Sequence, residues 1–195
     1  MAKKASKKRD DAMFATKYAM SAALLLGSIV NALGKNTAED WKWASEYYAT
    51  YGEWTVGCDQ RSDDERVKRC YLRYVDAYAR NPFGALFVFA TANANDGLKF
   101  NFEYEAGVRF TKPWRVVNGS TVTWQFDPAL CPPGSECALT GTAADNLADA
   151  LNANAGEMTF ALRDRVFRSF ELRWPTAGFI DALADLKAQS EARNL

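Results

Sequence analysis

Histidine is missing from all 195 residues, and with it the commonest general base, metal ligand and catalytic-triad member. Beyond the apolar N-terminal run the serines are few (Ser45, Ser62, Ser120, Ser135, Ser169 and Ser190), and none lies in a G-x-S-x-G or S-x-x-K setting. There is no C-x-x-C pair of the kind that redox and zinc sites use, and no D-x-D-x-D-G calcium loop. Net charge is also lacking, with 24 basic residues against 24 acidic ones. Without a clustered basic face the chain has no electrostatic footprint for nucleic acid. No catalytic residue, cofactor site or metal site is nominated, and the expected role is not enzymatic.

The zero net charge hides an asymmetry. The first 17 residues carry six Lys/Arg and two acids, so the rest of the chain is net −4. Tyr18–Leu33 follows, sixteen residues without a charge. A basic flank before an apolar run orients a chain with its start in the cytoplasm and its remainder exported. The run reads either as a signal peptide, cut near Ala32 or Gly34, or as an uncleaved anchor over residues 12–34 with Lys17 at the cytoplasmic interface. Twenty-three helical residues would reach about 34 Å, enough to span the hydrocarbon. Thr37–Tyr51 then starts like a capping box, Thr37 with Asp40, and is rich in aromatics. Trp41, Trp43, Tyr47 and Tyr48 would suit a lipid–water boundary. The organisation expected is a basic cytoplasmic tail (1–11), an anchor or signal peptide (12–34), an amphipathic aromatic linker helix (35–52) and an exported β-domain (53–195).

Four cysteines agree with export. Cys58 and Cys70 enclose eleven residues, and Cys131 and Cys137 enclose five. Four cysteines allow three pairings, and the two local ones close the shortest loops. An oxidising compartment without histidine favours structural disulfides over a metal centre.

From residue 53 the dominant pattern is period two. Trp54, Val56 and Cys58 alternate with small residues, and Leu98, Phe100, Phe102 and Tyr104 alternate with Lys99, Asn101, Glu103 and Glu105. Val122–Phe126, Met158–Leu162 and Phe170–Trp174 repeat the alternation; Cys70–Tyr74 and Leu86–Phe89 add strands, the last apolar on both faces and therefore central. Asn118-Gly119, Asp96-Gly97 and Asn81-Pro82 punctuate these runs as turns. Helices are expected over Ala144–Asn154 and over Ala177–Ala192, where Phe179, Ile180, Leu183 and Leu186 form one stripe. Seven or eight strands without α/β alternation predict a mainly β fold. It would be an antiparallel β-sandwich or small closed barrel with a C-terminal helix, preceded by an N-terminal transmembrane or signal helix.

Three charged groups were weighed as sites. Asp63-Asp64-Glu65 could hold calcium but reads better as a solvated turn. Glu103 and Glu105 share a strand face, as glycosidase carboxylates do, yet suit its solvent side. Arg163, Arg165, Arg168 and Arg173 could meet acidic partners or lipid headgroups, although such residues more often pair with surface acids.

Several of these features together resemble the invasion-associated locus B family of bacterial exported proteins. They are Trp54-Thr55-Val56-Gly57-Cys58, then Cys70, the Cys131…Cys137 loop, the Leu147…Leu151 helix and the ending Gly178–Leu186, spread over about residues 50 to 190. The resemblance implies a periplasmic or surface-associated β-domain, named for a role in invading host cells and not known to be enzymatic. The function expected is a protein-interaction module tethered at the periplasmic face of the inner membrane. Its partners would be other proteins there, and the bilayer through the N-terminal helix. The alternatives are an accessory single-span subunit of an inner-membrane complex, such as an electron-transfer assembly, and a small enzyme.

Overall fold

The computed structural model describes residues 42–94, 96–152 and 156–195. The basic start, the apolar run over 12–34, Lys17, Trp41 and the first part of the expected linker lie outside the described residues. Among those described, no helix is long and apolar enough to cross a membrane.

The domain is mainly β. Its strands are β1 (Trp43–Tyr51), β2 (Trp54–Arg61), β3 (Lys68–Arg80), β4 (Phe83–Asn93), β5 (Gly97–Tyr104), β6 (Arg109–Phe110), β7 (Trp114–Asn118), β8 (Thr121–Phe126), β9 (Glu136–Thr140), β10 (Glu157–Arg163) and β11 (Ser169–Pro175). Helix α1 (Thr142–Leu151) lies between β9 and β10, and α2 (Phe179–Ala192) ends the fold. Every pairing is antiparallel, in a six-stranded sheet β1-β2-β3-β4-β5-β9 and a smaller sheet β11-β10-β7-β8 with β6 beside β10. The two sheets stay open and separate, so the arrangement is a half-barrel with a covering sheet and not a closed barrel. The seven runs read from the sequence as strands are strands, and β7 leads into the Asn118-Gly119 turn. The additional ones are β1, the two-residue β6 and β9.

β1 corrects the sequence reading. Residues 43–51 form an edge strand on β2, not part of a linker helix. Trp43, Tyr47 and Tyr51 recur every four residues, which mimics a helical stripe. A regular strand would keep all three on one face, but a bulge between Ser45 and Tyr47 shifts the register. Trp43 pairs with Arg61 before the bulge, while Tyr47 pairs with Cys58 after it, so the two aromatics point to opposite faces of the sheet. Gly52, at φ 62°, opens the two-residue link to β2. The β7–β8 hairpin also differs in detail: Asn118 already pairs with Thr121, and Gly119-Ser120 makes the turn.

The core lies on one side of the larger sheet. Trp54, Val56, Leu72, Tyr74, Leu86, Val88, Phe100 and Phe102 face inward and are buried. Part of this face is covered by the smaller sheet through Trp114, Met158, Phe160 and Trp174, and part by α2 through Phe179, Leu183 and Leu186. Aromatic rings join the layers. Phe179 meets Trp54 at 5.1 Å, Trp54 meets Tyr74 at 5.1 Å, Tyr74 stacks on Trp174 at 4.6 Å, and Trp174 meets Phe160 at 4.5 Å. Two of the three buried indoles have their N–H satisfied, while Trp114 Nε1 is buried without a hydrogen-bond partner among the described residues. Trp54 Nε1 donates to the Pro175 carbonyl at 3.0 Å, and Trp174 Nε1 donates to Asp76 Oδ2 at 3.1 Å.

Truncating Trp174→Ala should cost about 3–5 kcal/mol by urea unfolding, because the indole joins both sheets. Stability should also fall as pH rises from about 10 to about 12. Burial pushes the Tyr74 hydroxyl up to about 12, and the Tyr47 hydroxyl rises to about 12 chiefly through its hydrogen bond to Asp185. The unfolded chain releases those protons near pH 10 while the folded chain keeps them, so alkali favours unfolding. Unfolding curves across that range check the slope, and Tyr47→Phe should flatten its share.

Candidate functional site

The outer face of the six-stranded sheet carries what the inner face would be expected to hold. β4 is central, as its sequence predicts, yet within Leu86–Phe89 only Leu86 and Val88 are covered. Phe87 and Phe89 lie partly exposed on the opposite face. Phe89 meets Tyr71 of β3 at 6.0 Å and stacks along its own strand with Phe87 at 6.4 Å. Tyr71 lies across Gly57 of β2, where a Cβ would fall 2.9 Å from the ring, so glycine is what lets the ring settle on the sheet. The Arg69 guanidinium stands 4.0 Å over the Trp43 ring and 5.8 Å from Tyr71. It is fixed by the buried Asp59 carboxylate, accepting from Arg69 at 2.9 and 3.1 Å. Arg73 donates to Thr55 at 3.1 Å, and Tyr48 and Val75, 59% and 45% exposed, flank the row. A band of Trp43, Arg69, Tyr71, Phe89 and Phe87 thus runs across four strands. Trp, Tyr, Phe and Arg are the residues enriched in protein interfaces.

The boundary aromatics named from the sequence separate here. Trp43 belongs to this outer band, Tyr48 projects beside it, and Tyr47 turns inward. Tyr47 donates to Asp185 of α2 at 2.9 Å, so it packs on the domain and is not presented to lipid.

All four cysteines are bridged, Cys58 to Cys70 and Cys131 to Cys137. Cys58 and Cys70 are directly opposed in the β2–β3 ladder and face the core, at 0% and 3% exposure. The second bridge ties the turn after Pro128–Leu130 to the buried side of β9.

Most of the charged groups named from the sequence have local partners. Asp63 pairs with Arg61 at 2.6 Å and Lys42 at 3.3 Å, and the Arg61 guanidinium holds its carboxyl well below the usual range. Asp64 pairs with Arg66 at 3.0 Å. Among the described residues, no group of acidic or cysteine side chains is arranged to hold a metal ion. Glu103 accepts from Asn101, whereas Glu105 lies past the strand end and accepts from the Tyr78 hydroxyl at 2.9 Å and the Ala85 N–H. The two carboxylates serve different partners. Arg168 pairs with Asp164 and Arg173 with Glu157, at 2.7 and 3.2 Å.

A cleft of about 600 Å³ opens between α1, α2 and the β4–β5 turn, with Ala92, Leu98, Ala148 and Leu183 among its walls. Ser190 lines it with a buried, unpartnered hydroxyl. Lys187 is one turn away on the same helix but makes no hydrogen bond to that hydroxyl. No activated nucleophile results.

Fold and surface together define a small two-sheet, disulfide-bonded β-domain with an uncovered aromatic face. A solved structure, invasion associated protein B from Bartonella henselae, is similar in fold. Its TM-score is 0.50, with 21% sequence identity, covering 75% of this chain and 98% of that chain. No family profile matches the chain, and no curated protein matches it by sequence.

Replacing Cys58 and Cys70 together by alanine should lower stability by about 3 kcal/mol on the chain-entropy account. In the folded protein this bridge should outlast dithiothreitol treatment that opens it in urea, because both sulfurs are shielded. Thiol alkylation with mass spectrometry reads both states.

Proposed function

We propose that this protein is a non-enzymatic interaction module of invasion-associated locus B type, held at the periplasmic side of a bacterial inner membrane and binding other proteins. The observation that carries the reading is the outer aromatic band. Phe87, Phe89 and Tyr71 sit on a rigid central part of the sheet, unoccupied by any element of the described domain. Preformed aromatic surface of this kind loses little side-chain freedom on binding. The fold shared with a solved invasion-associated protein supports the type. The fully bridged cysteines support an oxidising compartment. The basic flank and apolar run over 12–34 support tethering. The lack of histidine, the commonest general base, supports a role without catalysis.

A second reading makes the partner an inner-membrane complex, with this chain as a single-span accessory subunit. The spanning-length run favours it. Recovery from detergent extracts only as a free soluble domain would exclude it.

A photo-crosslinker at Phe87 should capture a defined envelope protein in native membranes. Phe87→Glu with Phe89→Glu should then reduce recovery of that protein about thirtyfold or more, with an unchanged melting temperature. Equal recovery would refute the aromatic band as the binding surface. N-terminal sequencing of native material should begin at Met1 or Ala2 for a tether; a start near Leu33 or Lys35 means cleavage.

A further inference from the structure

The β10–β11 hairpin ends in a loop that shows apolar side chains to solvent. Val166 is 48% and Phe167 75% exposed. Phe167 holds φ at 66°, a left-handed conformation that a bulky side chain adopts only under constraint. The constraint is Asp164. Its buried carboxylate accepts from the N–H groups of Val166 and Arg168 at 3.0 and 2.8 Å and from Arg168 Nε at 2.7 Å. Arg168 in turn donates to the carbonyls of Asn81 and Pro82 at 3.0 and 3.3 Å, so this tip is fastened to the β3–β4 turn of the other sheet. That turn leads directly into Phe83, 58% exposed. Three large apolar side chains therefore project from one end of the sandwich on two tied turns.

Cations dominate the surface around Phe167, where the cleft also holds Asp164. Arg109 and Arg163 stand opposite each other in the β6–β10 ladder, and Arg165 follows against Gly107. These three exposed arginines line one cleft of about 280 Å³ with Phe167 and Thr111. None has a carboxylate partner among the described residues, and the acid in the loop, Asp164, is committed to Arg168 and to backbone. Like charges placed directly across a ladder repel. The fold thus maintains both a constrained exposed phenylalanine and an uncompensated cluster of cations.

We propose that this end of the domain docks on an anionic lipid surface, with Val166, Phe167 and Phe83 entering the headgroup boundary and Arg109, Arg163 and Arg165 holding lipid phosphates. Projecting apolar tips ringed by cations match a bilayer surface, where apolar burial and charge attraction act together. A free anion would need the arginines but not the tips. A folded protein partner would call for a flatter and less one-sided surface. The inference does not depend on the role given to the outer aromatic band.

The test uses the full chain carrying an environment-sensitive fluorophore on Phe167→Cys. The control carries it on Val122→Cys, whose strand partner Val117 pairs with the opposite end of β10. Vesicles are phosphatidylcholine with and without about one third phosphatidylglycerol. A blue shift and quenching by lipid-borne spin label at 167, in anionic vesicles and not at 122, is the expected result. Gln at Arg109, Arg163 and Arg165 should weaken the response about fivefold per arginine. Phe167→Gly relieves the backbone and so folds at least as well, yet on the unlabelled chain it should lower anionic vesicle binding about tenfold or more. Any of four results overturns the proposal: equal response at both labels, equal response in neutral vesicles, displacement from vesicles by millimolar inorganic phosphate alone, or protection of residue 167 only when a protein extract is added.

Discussion

The stack of Trp54, Tyr74 and Trp174 is where three layers of this molecule become one. Trp54 belongs to β2, Tyr74 to β3 and Trp174 to β11, and Phe179 of α2 closes on Trp54 from the other side. Each ring presents a face or edge to the next, a geometry favoured by the aromatic quadrupole and additional to area burial. The six-stranded sheet is wider than its partner sheet, so rings alone from the smaller sheet would leave the inner sides of β1 and β2 wet. α2 supplies the missing cover. Tyr47 and Tyr51, swung inward by the β1 bulge, pack against the same core, and Tyr47 is held to α2 through Asp185. Among the described residues the covering elements named here all pack on one face.

That allocation decides the character of the other face. A central strand such as β4 is apolar on both sides, and in a three-layer fold both sides would be buried. Among the described residues no further layer meets one side, and Phe87 and Phe89 remain partly exposed there. The sheet limits the resulting exposure with its own means. Tyr71 lies over the gap at Gly57, and Arg69, anchored by Asp59, covers Trp43 with a guanidinium plane that is itself weakly hydrated. The band is ordered before any partner arrives, because neighbours within the domain fix its rings.

The sequence disclosed the elements whose periodicity was unbroken. β5, β10 and β11 alternate without interruption, and α2 buries Phe179, Leu183 and Leu186 of its expected stripe but leaves Ile180 exposed. β1 was not legible as a strand because its aromatics at 43, 47 and 51 repeat like a helical stripe, while the bulge at Ser45/Tyr47 breaks the inside–outside alternation that marks a strand. β9 was hidden by shortness, with only Cys137 and Leu139 buried in five residues. For the candidate surface, the apolar nature of Phe87 and Phe89 was plain, but hydrophobicity alone does not say whether a layer covers it. That follows from the count and length of the other elements. The arginines near β10 divide in the same way: Arg168 and Arg173 found acids, whereas Arg163 meets another arginine, and only strand register could tell them apart.

Side-chain hydrogen bonds tie together the turns at one end of the sandwich. β3–β4 belongs to the larger sheet and β10–β11 to the smaller, and sheets joined only by apolar packing can slide. Arg168 converts the junction into directed bonds, since its guanidinium reaches two carbonyls of the β3–β4 turn while Asp164 neutralises it from below. A lysine there would supply the charge but not the forked geometry that spans the Asn81 and Pro82 carbonyls together with the Asp164 carboxylate. The same end holds Glu105, bonded to Tyr78 and to the Ala85 amide, with Tyr78 against Phe170 at 4.8 Å. Burial and the Glu105 hydrogen bond raise the Tyr78 hydroxyl well above its ordinary value, so this clasp keeps its proton throughout the neutral range. The aromatic stack fixes the middle of the sandwich and these polar clasps fix its tip. That is why an exposed phenylalanine can be held there in a backbone conformation it would not choose alone.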